Sequence, residues 1–220
     1  MTSAEISTVR VLEPADRLAA LEVIRQVYLE EKRWVRDPEQ EIAETLSTSD
    51  RVSWFLVRVG GEPAGVLRLW YDFSIELPAE LEVTIERPMN LEAARSARWV
   101  EVGRFMILPE HRSATRVALA LMKAAVTEVV ERGYTHFITD VYDGDPHSPL
   151  KFHTRVLGFE RIGTHRFGEL DCDCVRIILI LDLVRAYRLA KAKKNKIFRA
   201  LAEGLQDKFE ALPETRPVLV

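Results

Sequence analysis

The chain has 220 residues, 47% of them hydrophobic and 30% charged, with a formal net charge of −3. Such a chain buries a sizeable core, which excludes disorder as its main state, and its slight negative charge argues against nucleic acid as a partner, because phosphate binding needs a basic surface. Its two cysteines, Cys172 and Cys174, are too few for a disulfide framework and fit a reducing cytoplasm; they read as core packing on one strand face, and no metal site is expected.

Ile6 to Leu12 reads as a strand, and Pro14 opens a helix whose apolar positions Leu18, Leu21, Ile24, Val27 and Tyr28 recur at helical spacing to Lys32. Glu39 to Leu46 is expected as a second short helix. Trp54 to Val59 and Ala64 to Tyr71 are strand runs joined by Gly60-Gly61-Glu62-Pro63, which is hairpin chemistry because glycine supplies positive φ. Asp72 to Arg98, with Pro78 and Pro88, is expected to be an insertion holding one short helix over Leu91 to Ser96. Trp99 to Leu108 is a strand, Ser113 to Arg132 a helix closed by Gly133, and Tyr134 to Val141 a buried strand. A turn over Asp143 to Pro146 leads to a short helix from Ser148 to Leu157. Strands follow from Phe159 to Arg166 and from Cys172 to Leu181. This order predicts an α/β (α+β) fold with a mixed, mostly antiparallel central sheet and helices on both faces.

From Leu183 to Lys208 a helical pattern carries eight basic side chains against two acidic ones. It is expected as a basic amphipathic extension (183–220) beyond a main domain (1–182), docked through its apolar stripe or offering its charge to an acidic partner, with a loose tail after Ala211. The first eleven residues carry no leader pattern, and the apolar run from Val175 to Leu183 is too short to span a bilayer, so a cytoplasmic location is expected.

The strand from Trp99 is the most informative segment, because it takes Glu101, Gly103 and Arg104 through an apolar run. Charges in a buried strand need a partner or a task, since an unpaired one costs several kcal/mol. On a regular strand Glu101 and Arg104 face opposite sides. A bulge between Val102 and Phe105, at Gly103, brings both toward one cleft and turns out an amide able to bind an oxyanion. In that geometry Glu101 is placed to act as a base, and Arg104 to orient it or to pair with a carboxylate. The alternative is a structural ion pair of Glu101 with Arg104 or Arg68.

Together with the segment Ile107-Leu-Pro-Glu-His-Arg112, the helix after it and Phe152-His-Thr-Arg-Val-Leu-Gly-Phe-Glu160, this order of elements resembles the Gcn5-related N-acetyltransferase (GNAT) superfamily. Three further segments, Arg25-Gln-Val-Tyr-Leu-Glu-Glu-Lys-Arg-Trp34, Gly65-Val-Leu-Arg68 and Glu101-Val-Gly-Arg-Phe105, look like the acyl-homoserine-lactone synthases and long-chain N-acyl amino acid synthases. The resemblance implies transfer of an acyl group from a thioester to the amine of a small molecule such as an amino acid. The thioester arm then lies where the fourth and fifth strands, here those from Trp99 and Tyr134, splay apart. No tightly bound cofactor is implied; the acyl thioester, on an acyl carrier protein or coenzyme A, is a co-substrate.

The resemblance assigns the donor's phosphate and pantetheine arm to Ile107, Arg112, Thr115 and Arg116, and the acceptor and acyl pocket to Arg25, Trp34, Arg68 and Phe105. Where the superfamily's phosphate loop carries glycines, Arg112 is followed by Ser113, Ala114, Thr115, Arg116 and Val117. Branched side chains there crowd the approach of a pyrophosphate to backbone amides, which moves the expected donor from coenzyme A toward a carrier protein docking on Arg112, Arg116 and the 185–199 helix. The tyrosine that often serves as general acid is replaced by Thr154, with His153 beside it as the candidate acid. The acidic pair of autoinducer synthases has no counterpart among Glu39, Glu41, Glu44 and Asp50, which argues against a lactone product. The other readings are an acetyl coenzyme A-dependent N-acetyltransferase and a non-catalytic acyl-thioester-binding module of the same fold.

Overall fold

The computed structural model describes residues 4–35, 50–75, 81–166, 170, 172 and 174–220. The helix expected over Glu39 to Leu46 lies outside the described residues. Eight strands stand in the order β1-β2-β3-β5-β6-β8-β7-β4, a mixed and mostly antiparallel α/β arrangement, and the chain forms two compact units, 1–70 with 102–126 and 71–101 with 127–220.

In the first unit, β1 (Ile6–Arg10), β2 (Val52–Val59) and β3 (Glu62–Tyr71) form an antiparallel meander. The β2–β3 turn is the two-residue Gly60-Gly61 link, with φ of +60° and +90°, the backbone a twisted hairpin requires. Helix α1 (Pro14–Ile24) starts on a proline whose fixed φ suits the first turn. It runs on as a π-helical turn over Arg25–Glu31, with the amide of Lys32 bonding the carbonyl of Val27 at 2.9 Å. Widened turns of this kind recur at functional sites. Strand β5 (Trp99–Ile107) begins in the second unit and ends in the first. Its close neighbour there is Gly65, where an added Cβ would stand 2.6 Å from the carbonyl oxygen of Met106, so only glycine lets these backbones approach.

The second unit holds β6 (His136–Tyr142), β7 (Glu160–His165), β8 (Arg176–Asp182) and the two-residue β4 (Thr84–Ile85), which pairs with β7. Strand β5 runs parallel to β6 for only three residues, Trp99 to Glu101 against His136 to Ile138. The 72–98 insertion has a role that its sequence does not display. Its helix α2 (Leu91–Ser96) buries Ala93 and Ala94 against Trp99, Ile138, Ile178 and Ile180 on one sheet face. The opposite face of β6 carries Phe137, stacked on Phe159, which in turn meets the ring of His153 in a second π-helical turn, Phe152–Leu157. Helix α3 (Thr115–Glu131) is closed at Gly133, whose φ is +74°.

The C-terminal segment departs from expectation in two ways. The pattern over 183–208 is not one helix but three, α4 (Leu183–Lys193), α5 (Lys196–Leu201) and α6 (Gln206–Ala211). Lys194 and Gly204 take left-handed backbone at φ +54° and +79°, and Asn195 caps α5, so the apolar stripe folds on itself with Tyr187 stacked on Phe209 at 4.4 Å. The tail is anchored, not loose: Val218 is buried, its carbonyl accepts the amide of Asn90 at 2.9 Å, and the amide of Val220 donates to Pro88. The 183–220 segment thus packs within the second unit. Cys172 and Cys174, expected in the core, are half-buried and joined by a disulfide. No helix among the described residues is long and apolar enough to cross a membrane.

Candidate active site

Within β5 the backbone leaves extended geometry at Arg104, whose φ of +50° is left-handed. The expected irregularity between Val102 and Phe105 therefore centres on the arginine, one residue past Gly103. A side chain held in this region costs about 1–2 kcal/mol, and such strain concentrates at functional positions. Glu101, half-buried, is the last residue of β5 paired with β6; since paired residues of a parallel ladder face the same side, its side chain shares a face with Ile138.

The turn at Arg104 carries its guanidinium over the ring of Tyr28, 5.5 Å from the centroid, and Tyr28 in turn packs against Trp34 at 5.6 Å. Lys32 lies 5.5 Å over the other partner, Trp34. Trp34, Arg104 and the π-helical turn are thus gathered around a buried tyrosine that the sequence presents only as one more apolar helix position. Arg68 is buried in β3, opposite Trp54 on β2 and over the ring of Trp70 at 5.3 Å, where aromatic faces stabilise the desolvated cation. Phe105 and Ile107 are half-buried on β5.

Three of the expected site residues are engaged within the protein itself. Arg112 donates Nε to the carbonyl of Ile107 at 2.8 Å and grips Glu31 with both terminal nitrogens, at 2.8 and 2.5 Å. These bonds hold the Glu31 carboxyl below its usual pKa and occupy the donors that a phosphate would need. Arg112 therefore fastens the end of β5 to the π-helical turn, while Thr115 and Arg116 stand exposed in the first turn of α3. Arg25, expected in the pocket, is held instead by Glu22 at 2.6 Å and by Glu30, in a half-exposed surface cluster that pulls the Glu22 carboxyl down to about 2. His153 is fully enclosed between Phe152 and Phe159, and burial drives its pKa to about 3. The ring is neutral at physiological pH, so it has no imidazolium proton to give a departing thiolate. Thr154 beside it donates its hydroxyl to the carbonyl of Leu150 at 2.7 Å, a structural bond.

A family model described as N-acyl amino acid synthase FeeM matches residues 19–175. The solved structure of FeeM, an N-acyl amino acid synthase from uncultured soil microbes, is similar with a TM-score of 0.63 and 18% identity over 84% of this chain and 95% of that one. The ribosomal-protein-S18-alanine N-acetyltransferase from Escherichia coli is similar with a TM-score of 0.53 and 13% identity, over 81% of this chain and 94% of that one. Aminoglycoside 6'-acetyltransferase type Ii follows with a TM-score of 0.56 and 15% identity, over 81% and 96%. No curated protein matches by sequence. At these identities the solved structures establish a shared fold, and the family match reaches across β2, β3, β5, α3 and β6.

Proposed function

The chain belongs to the FeeM family of N-acyl amino acid synthases, within the GNAT superfamily, and on that premise we propose that it moves a long-chain acyl group from the thioester of an acyl carrier protein to the α-amine of an amino acid. The amine nitrogen bonds to the thioester carbonyl carbon, the carbon–sulfur bond breaks, and the amine proton passes by way of Glu101 to the leaving thiolate. The products are an N-acyl amino acid and a free thiol.

One observation supports this reading above the others: the left-handed turn at Arg104, three residues after the carboxylate at which the β5–β6 ladder stops. A strand serving only as scaffold gains nothing from a strained arginine there. In the proposed reaction Glu101 accepts the amine proton and the peptide rotated by the turn stabilises the oxyanion; within the first unit, Arg104, Tyr28 and Trp34 group with Phe105 and Arg68 as the residues assigned to the acyl or acceptor pocket.

The donor assignment rests on the turn before α3. Thr115 and Val117 stand where glycines would admit a pyrophosphate, and Arg112 is engaged by Glu31, an arrangement that suits the single phosphodiester of a carrier arm better than a pyrophosphate. Among the basic residues expected to dock the carrier, Arg185, Arg188 and Lys191 are paired with Glu160, Glu214 and Glu210, so Lys193, Lys194, Lys196 and Arg199, all exposed, form the remaining basic surface.

Incubation with long-chain acyl carrier protein, and separately with long-chain acyl coenzyme A, in the presence of pooled amino acids tests the reading through thiol release and product mass. N-acyl amino acid is expected with the carrier donor and at least about tenfold less with coenzyme A, and Glu101→Gln is expected to lower the rate by about 10²–10⁴. Full activity of a folded Glu101→Gln variant overturns the base assignment. Release of no thiol from either donor overturns the function.

A further inference from the structure

A left-handed arginine persists only where the surrounding structure over-determines it, so the turn at Arg104 needs a support. Two contacts within the first unit reach it by way of the π-helical turn over Arg25–Glu31. The guanidinium of Arg104 lies over the ring of Tyr28, which is buried in that turn. Glu31, the last residue of the same turn, is gripped by both terminal nitrogens of Arg112, further along the chain that carries Arg104. Arg104, Tyr28, Glu31 and Arg112 thus close a ring of two side-chain contacts and two chain segments.

Both chain segments are braced. Beyond Arg104 the end of β5 is tied to β3 by the amide of Leu108 on the carbonyl of Ala64 at 2.9 Å and by the close approach of Gly65 to Met106. A 3-10 turn over Pro109–His111 leads on to Arg112, whose Nε bonds back to the carbonyl of Ile107. The Arg112 guanidinium is therefore fixed to the strand end before it meets Glu31. On the other side, the amide of Lys32 bonds the carbonyl of Val27 and the amide of Trp34 that of Tyr28, each at 2.9 Å. With both segments held, the Glu31–Arg112 pair sets where the Tyr28 ring stands against Arg104.

The pair is built for such a task. Its side chains are 19% and 25% exposed, and the two parallel bonds fix direction as well as distance. The single contact of Arg188 with Glu214, on side chains more than half exposed, is the kind of surface pair that contributes little.

We infer that Glu31 and Arg112 are a positioning pair for acyl transfer, which holds Tyr28 beneath Arg104 and so keeps the strained turn in its working geometry. Neither residue touches the reacting atoms. This rests on the reading of the Arg104 turn as part of the acyl-transfer site. Displacement of catalytic groups by about 1 Å costs on the order of a hundredfold in rate, so opening the pair should act mainly on kcat.

Steady-state kinetics with long-chain acyl carrier protein as donor test this. Glu31→Gln and Arg112→Gln are each expected to lower kcat about ten- to a hundredfold with the donor KM changed less than about threefold. The double variant should fall no further than the worse single one, because either change already opens the pair. Glu31→Asp, which keeps the charge, should retain more activity than Glu31→Gln. An arginine that serves the donor's phosphate instead gives the opposite sign: Glu31→Gln frees its fork and lowers the donor KM, while Arg112→Gln raises it. That pattern overturns the inference, and so does an unchanged kcat in Glu31→Gln, an isosteric change at a partly exposed site.

A second measurement needs no turnover. Side-chain protons of Arg104, identified by their loss in Arg104→Lys, should show an upfield ring-current shift in NMR spectra of the wild-type protein. Glu31→Gln and Arg112→Gln should each reduce that shift by more than about half; a shift kept in both variants overturns the inference. A wild-type protein that transfers no acyl group, with these spectral changes as expected, faults the acyl-transfer reading and leaves the pair as the support of Arg104. Transfer that neither variant disturbs faults this inference alone.

Discussion

Arg104 shows how much a single backbone angle carries. Gly103 precedes it in sequence and is the residue that sterics would choose for a break, yet the left-handed φ of +50° falls on the arginine. The turn directs the guanidinium onto Tyr28, so the side chain and the strain belong to one arrangement. Arg104→Gly removes the strain and the cation together. Relief of about 1–2 kcal/mol of left-handed strain offsets the lost ring contact and the added freedom of the unfolded chain, so stability should stay within about 1 kcal/mol of the parent while acyl transfer falls at least about a hundredfold. Chemical denaturation alongside the thiol-release assay reads both quantities. A drop of several kcal/mol with activity retained would assign Arg104 to the fold. The neighbouring carboxylate, glycine and arginine are legible in the sequence as charges out of place in a strand; which of them bends the chain is not, because the choice is made by the aromatic group that receives the side chain.

At the scale of elements, both π-helical turns sit where the sequence reads as ordinary helix. Helical spacing of apolar residues does not distinguish a fourth-residue from a fifth-residue hydrogen bond, and only the observed bond from Lys32 to Val27 separates them in the first turn. The second turn buries His153 in an aromatic sandwich, and this has a consequence for stability. Its folded pKa of about 3 lies below the value of about 6.5 in an unfolded chain, so below pH 6.5 the unfolded state binds a proton that the folded state refuses. Stability should therefore fall as pH drops from about 6.5 toward 3, by about 1.4 kcal/mol per pH unit from this group. Above pH 6.5 the group has no effect. Urea denaturation between pH 4.5 and 7, compared with His153→Phe, should show the variant's slope smaller by one proton. Parallel slopes in the two proteins would mean that His153 is protonated in the fold.

At the scale of the molecule, the last residues close one face of the sheet in the second unit. Val218 is buried with Ala93, Ala94, Ile138 and Ile178, and the chain end pairs Leu219 with Met89 of the insertion, so two segments far apart in sequence seal one apolar surface. Val218→Asp places an unpaired charge in that core and should cost about 3 kcal/mol, seen as a fall in Tm of about 6–12 °C. A change of less than about 1 °C would show the tail to be dispensable. The composition of the tail, rich in proline and ending on Val-Leu-Val, does not announce this role, since a short apolar end is ordered only if a complementary surface awaits it.

Local patterns in the chain determined the order of strands and helices, the glycine hairpin, the strand bearing Glu101 and Arg104, and the motifs that match the family, because each of these is written in residues close together. Tertiary structure alone decided that Arg112 is spent on Glu31, 81 residues away, that the 183–208 helix folds into three, and that Tyr142, Arg176 and His165 stand in one row beside Asp140. Those outcomes depend on register across strands and on which buried charges meet. A guanidinium takes the carboxylate that the fold brings within hydrogen-bond reach, and nothing in its local sequence names that partner.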